Sequence, residues 1–315
     1  MKKVTLALGG GGTKGFAHIG VIQQLEEYGF IPSAIAGTSA GGIVGALFAA
    51  GIASKEIETF AKSLEYSKLF SRNTNNLPSL LGLGGLYKLL DKYLDGLTFA
   101  DTKIPFAVTT VDQKSGTEYI INSGKLIDAI KATTAVPGIF PPFIHGNKTL
   151  VDGGVLNPVP VSIARWLKYD VPVIGVCLTA PPDKWSLLPK YTVPSYVPVP
   201  HFVVEQLSQL RLSKAVDSFI DSLELMINKI SWLRLKEEKP DVLVNPSVYK
   251  YSMIEDMDVK EAIDLGKLSV IEKVNEISSA YSISNKFARW IRASTPPADL
   301  LDLSVLSGLD KRKKS

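Results

Sequence analysis

Cysteine, histidine and long apolar runs are scarce in this chain, and each scarcity excludes something. A single cysteine, Cys177, cannot close an internal disulfide, which fits a reducing compartment and a cytoplasmic location. No stretch approaches the ~18 apolar residues expected of a membrane span. Met1-Lys2-Lys3 followed by Val4 to Leu8 opens like a signal peptide, but the apolar run is too short and a glycine-rich loop follows at once. Charge of one sign is missing too. Lys311, Arg312, Lys313 and Lys314 account for the whole formal charge of +4, so the body is balanced and carries no nucleic-acid footprint. The basic end reads as a solvated tail able to touch an anionic membrane surface. With 45% hydrophobic and 21% charged residues, the remainder describes a folded globular protein.

Against this background three glycine-framed motifs stand out. Gly37-Thr38-Ser39-Ala40-Gly41 sets one serine between glycines, after the apolar end of a short strand and before the helix-compatible run Ile43 to Ala50. Small flanking residues permit a strained strand-to-helix turn and leave the hydroxyl open to a substrate. The following helix turns its N-terminal amides and positive dipole end towards that serine. Asp152-Gly153-Gly154 supplies a carboxylate at the end of a short strand, Thr149 to Val151. Taken alone, an Asp-Gly step is an ordinary turn; its company makes it a candidate base.

The third motif is Gly10-Gly11-Gly12-Thr13-Lys14-Gly15, which follows the first strand and opens a helix. That context matches the dinucleotide-binding fingerprint, which also requires an acid about 20 residues on to hold a ribose. Here the second strand ends in Ala36-Gly37-Thr38, so the acid is absent. Nor does Gly-Lys-Ser/Thr follow, as a P-loop would need. The better reading is an oxyanion hole built from the amides of Gly10 to Gly12, each donor being worth roughly 3–4 kcal/mol in a transition state.

A serine triad would need a histidine base, and the chain has three. His18 falls inside the first helix, His145 in a loop, and His201 after a proline-rich stretch. None has the surroundings of an obvious base. The expected unit is therefore a Ser39–Asp152 dyad in which the carboxylate takes the hydroxyl proton directly. Three alternatives stay open: an α/β-hydrolase triad using His201, a nucleotide-binding module using the glycine loop, and a lipid-binding scaffold without turnover.

These residues resemble the patatin-like phospholipase family, whose members carry G-G-G-x-[KR]-G, G-x-S-x-G and D-G-[GA] in this order. The segment Ala132 to Pro142 and the helix start Phe16 to Val21 are similar to the same family, over about residues 3–180. Residues 241–280 resemble the C-terminal portion of bacterial relatives more loosely. The resemblance implies a three-layer α/β/α core and hydrolysis of lipid acyl esters through an acyl-serine intermediate. It implies a dyad of Ser39 and Asp152, without a metal or other cofactor, and makes His18 a scaffold residue. The expected partner is a lipid or acyl-ester substrate, with peripheral membrane contact; no oligomeric state follows.

Periodicity predicts strands at 3–8, 33–37, 106–111, 118–121, 172–178 and 241–245. It predicts helices at 16–28, 41–51, 54–64, from about 160, within 202–236 and over 259–280. The expected division is a catalytic unit, 3–180, then a proline-rich connector, a mainly helical extension and the tail over 181–315. Leu86, Leu89, Leu90, Tyr93 and Leu94 line one helix face behind the leucine- and glycine-rich stretch from Leu77. That helix reads either as an ordinary core-facing one or as a lid or wall for an acyl chain, able to dip into a bilayer.

Overall fold

The computed structural model describes residues 1–65, 82–187, 209–282 and 296–304. Two parallel strands, β1 (Lys2–Leu8) and β2 (Phe30–Gly37), are joined by the crossover helix α1 (Ala17–Glu27). After β2 come α2 (Ala40–Ala49), α3 (Ser54–Lys62) and α4 (Gly84–Leu94). The hairpin β3 (Phe106–Asp112) and β4 (Thr117–Ile121) follows, then α5 (Leu126–Thr133) and the hairpin β5 (Phe143–His145) and β6 (Lys148–Asp152). Next are α6 (Val161–Leu167), β7 (Val173–Val176), α7 (Gln209–Glu238) and β8 (Val242–Val244). The last elements are α8 (Val259–Ile271), α9 (Val274–Ser279) and the short β9 (Asp299–Leu300).

The strands form one mixed sheet in the order β5-β6-β3-β2-β1-β7-β8, with β4 on β3 and β9 on β4. Alternation along the central strands divides two cores, as a period of two requires. Val4, Leu6 and Leu8 of β1 join Ile35, Phe106 and Val108 against α1, α2, α5 and α8. Ala7, Ala36 and Ala107 point the other way, towards α6 and Leu235 of α7. Register sets Ala7 beside Ala36 and Ala36 beside Ala107, so α6 meets a row of methyl groups. Large side chains on one face and alanines on the other give the three-layer α/β/α arrangement that the resemblance implied.

The expected helix over 259–280 is two helices, broken at Glu272–Lys273. The expected strand at 241–245 is β8, which pairs with β7 and carries the sheet into the second half of the chain. The amphipathic helix expected after Leu77 is α4, with Leu86, Leu90 and Leu94 buried and Leu89 and Tyr93 half-buried against the main core. Leu90 and Leu94 thus face the core, Leu86 also reaches a cavity wall, and Leu77 to Leu81 lie outside the described residues.

Helices α1 and α8 cross at backbone contact. A Cβ on Gly266 would lie 2.1 Å from the carbonyl oxygen of Ala17. Helix propensity favours alanine over glycine by about 1 kcal/mol, but the steric clash has the opposite sign and is larger. Gly266→Ala is expected to lower stability by about 2–3 kcal/mol in urea unfolding. A neutral or stabilising result would contradict the close crossing.

Candidate active site

The register of β3 explains how Ser39 and Asp152 meet across so much sequence. Along one edge of β3, β2 pairs in parallel through Gly37 opposite Val108, and β6 pairs antiparallel through Asp152 opposite Thr110. The other edge is taken by β4, which pairs with Val108 to Asp112. Two strands therefore share one edge, and their carboxyl ends converge on Thr109. Immediately beyond those ends the chain turns, at Ser39 in one case and at Gly153–Gly154 in the other. Thr133 ties the junction together: its hydroxyl donates to the carbonyl of Thr109 at 2.7 Å and accepts the Ser39 amide at 3.0 Å.

Ser39 has φ 52° and ψ −121°, a backbone that side chains rarely adopt. The turn is closed by contact: a Cβ on Gly41 would lie 2.2 Å from the carbonyl oxygen of Leu8. Gly37 and Gly41 thus hold a sharp elbow that sets the Ser39 hydroxyl beside the Asp152 carboxylate on one cavity. Both side chains are buried. The amide of Gly154 donates to Asp152 Oδ1 at 2.7 Å, so the Gly153–Gly154 turn also orients the carboxylate. Burial pushes the Asp152 carboxyl up to about 6, against the opposing pull of the neighbouring Ser39 hydroxyl and of the Gly154 amide. At neutral pH this group is an ionised acceptor with raised basicity, able to take a proton from the hydroxyl beside it.

The glycine loop supplies donors, though fewer than expected. The Gly10 amide is committed to the carbonyl of Pro158 at 2.9 Å, whereas those of Gly11 and Gly12 have no partner among the described residues. Gly12 has φ +60°, and a Cβ there would lie 1.8 Å from the Met253 carbonyl oxygen, so no side chain fits. That carbonyl accepts the amide of Thr13 at 3.1 Å and anchors the loop. Lys14 and Gly15 are buried beneath it, and Gly15 packs against Ala40 at the start of α2.

His18 holds the loop from the other side. Its Nε2 lies 2.7 Å from the Gly9 carbonyl and must carry the proton that makes this bond; burial lowers its pKa to about 4, keeping it neutral. It is a scaffold residue. His145 sits on β5, away from Ser39, and His201 lies outside the described residues. Cys177 is buried, with its thiol pushed up by burial, and is no competing nucleophile.

Ser39, Asp152 and the loop Gly10–Gly15 line a cavity of about 170 Å³. One part of its wall is apolar, with Ile19, Val44, Leu47, Ile57, Phe60 and Leu86 from the first four helices. Another part comes from α7 and residues 253–254, where Lys14 Nζ stands 3.5 Å from Glu224 Oε1 and the Met253 amide donates to the same oxygen at 2.7 Å. Sequence reasoning missed Glu224 and Asn228. The available signal was their position on α7: with Ser231 they interrupt the apolar face of Ile220 and Leu223 at helical spacing. Behind Asp152, Asn157 donates to Glu118 at 2.7 Å, and its carbonyl accepts the Thr38 hydroxyl at 2.9 Å, linking the two turns. No cluster of metal-ligating side chains occurs among the described residues, and no helix there is long and apolar enough to cross a membrane.

Comparison with known proteins returns the same neighbourhood. The chain is 35% identical over 174 residues to an uncharacterized NTE family protein of Mycobacterium tuberculosis, covering 54% of this chain and 48% of the relative. It is 26% identical over 314 residues to the lysophospholipase nte1 of Emericella nidulans, covering 90% of this chain and 19% of that much longer protein. The chain thus spans about half the mycobacterial relative and a fifth of the fungal one. Among solved structures, VipD of Legionella pneumophila superposes with a TM-score of 0.52 at 14% identity, over 88% of this chain and 67% of VipD, a likeness of fold. The model of the patatin-like phospholipase domain matches residues 6–165, which include the glycine loop, the serine elbow and the aspartate turn. With half its length matched by that model and all three motifs joined around one cavity, the chain belongs to the patatin-like phospholipase family.

Proposed function

We propose that this protein hydrolyses acyl esters of lipids through an acyl-serine intermediate, with Ser39 as nucleophile and Asp152 as its base. The observation that carries this reading is the strained Ser39 elbow set beside Asp152 on one cavity, with that buried carboxyl raised to about 6. The ester carbonyl docks with its oxygen towards the Gly11 and Gly12 amides. Ser39 Oγ attacks the carbonyl carbon while its proton passes to Asp152. The protonated Asp152 then gives that proton to the departing alcohol oxygen as the ester bond breaks. A water, losing its proton to Asp152, attacks the acyl-serine, and proton return to Ser39 releases the fatty acid. The apolar wall formed by Leu47, Phe60 and Leu86 suits the acyl chain. Family membership and the lysophospholipase relative support a lipid as substrate. The proposed place of work is the cytoplasm, at or near a membrane surface; residues 3–180 carry the motifs, and 181–315 contribute to the cavity through α7.

The test is hydrolysis of a medium-chain p-nitrophenyl ester by wild type and His201→Ala, with folding checked by circular dichroism. The dyad requires near-wild-type turnover in His201→Ala; a collapse would favour a triad. No turnover by folded wild type, on this ester or on lysophospholipid, would favour a binding protein on a hydrolase scaffold.

A further inference from the structure

We infer that Asn228 and Glu224 form a subsite for a free hydroxyl on the alcohol half of the ester, the chemistry of a glycerol group carrying one acyl chain. This rests on the hydrolase reading above. The two residues stand one turn apart on α7 and line the same cavity as Ser39, with Leu223 and Ile227 beside them. Glu224 is 6% and Asn228 5% exposed. The Asn228 side chain makes no hydrogen bond among the described residues. Its amide lines the cavity, where a ligand or water can meet the polar atoms that no protein group among the described residues engages. Glu224 spends Oε1 on the Met253 amide and Lys14, while Oε2 has no hydrogen bond among the described residues.

Charge narrows the ligand. Lys14 balances Glu224, so the cluster adds no net charge, and a phosphate brought to Lys14 would also meet the carboxylate. A neutral hydroxyl meets neither difficulty: it can donate to Glu224 Oε2 and accept from Asn228 Nδ2. A site built to bind a hydroxyl discriminates strongly against the analogue lacking it, because its own polar groups are then left unpaired.

The test compares kcat/KM for 1-octanoylglycerol and propyl octanoate, which share the acyl group and the three-carbon alcohol skeleton, both below their aggregation limits. Wild type is expected to favour the glycerol ester by about tenfold or more. Asn228→Leu, close in volume, should bring the ratio towards one, the loss falling mainly on the glycerol ester. Octanoyl lysophosphatidylcholine also carries a free hydroxyl, and the same preference over propyl octanoate would extend the subsite to lysophospholipids. A wild-type ratio near one, or equal losses on both esters in Asn228→Leu, overturns the inference while leaving the hydrolase reading intact. Should Asn228→Leu fail to fold, the wild-type ratio decides, with Glu224→Gln as second variant. No hydrolysis of any of the three esters by folded wild type overturns the hydrolase reading and the subsite with it.

Discussion

Ser39→Ala is expected to lower kcat by roughly 10⁴- to 10⁶-fold, the scale found when a serine nucleophile is removed from its catalytic unit. The fold should survive, because the elbow is held by backbone contacts and by the bond from the Ser39 amide to Thr133 Oγ1. A second variant separates chemistry from strain. At φ 52° a side chain costs about 1–3 kcal/mol, and alanine keeps that cost whereas glycine removes it. Glycine loses more entropy on folding, about 0.5–1 kcal/mol. Ser39→Gly should therefore be about 1 kcal/mol more stable than Ser39→Ala in urea unfolding, with both inactive. If Ser39→Gly were the less stable, the elbow would not be strained as described. If Ser39→Ala kept even a tenth of wild-type kcat, Ser39 would not be the nucleophile.

Asp152→Asn should cost about 10³-fold or more in kcat, since an amide keeps the shape of the carboxylate but cannot take the serine proton. The pH dependence gives an independent signature. A base raised to about 6 must be ionised to work, so kcat/KM should climb through an acid limb near pH 6 and then level. Stability runs the other way. Because the folded protein holds the Asp152 proton more tightly than the unfolded chain does, this carboxyl's favourable contribution is fully present below its ordinary value of 3.8 and is lost as pH rises through about 6. At pH 8 the buried, ionised carboxylate costs roughly 3 kcal/mol that Asp152→Asn does not carry. The variant should be more stable than wild type at pH 8 and lose that advantage towards pH 4. An activity limb near pH 4, or a variant less stable than wild type at pH 8, would contradict the buried base.

The layered start of the fold was legible because its signals are local. Alternation in Val4 to Leu8 and Ala34 to Gly37, with glycines at the turns, is enough to place two strands, two helices and the serine between them. The three motifs were legible because each carries its own geometry over a few residues. The meeting of Ser39 with Asp152 could only be assumed, since it depends on β2 and β6 sharing one edge of β3, a register that no local pattern encodes. Helix α5, with Thr133 at its end, went unread for the same reason: its hydroxyl matters through two long-range bonds. The loss of the Gly10 amide to Pro158 was equally hidden. Glu224 and Asn228 sit far along the chain, on a helix that the sequence shows only through its apolar spacing. Phe219 is 44% exposed, whereas those two polar residues are buried. Helix periodicity finds a face, but the cavity decides which polar side chains that face can hold.

The measurement that bears most directly on the account is acyl-enzyme trapping. The wild-type protein is mixed with a medium-chain p-nitrophenyl ester, quenched in acid within the first turnovers, digested and analysed by mass spectrometry. The account predicts an acyl group on the peptide containing Ser39, and none on Ser39→Ala. An adduct on another residue, or hydrolysis without any adduct at Ser39 under conditions where product release shows a burst, would contradict it.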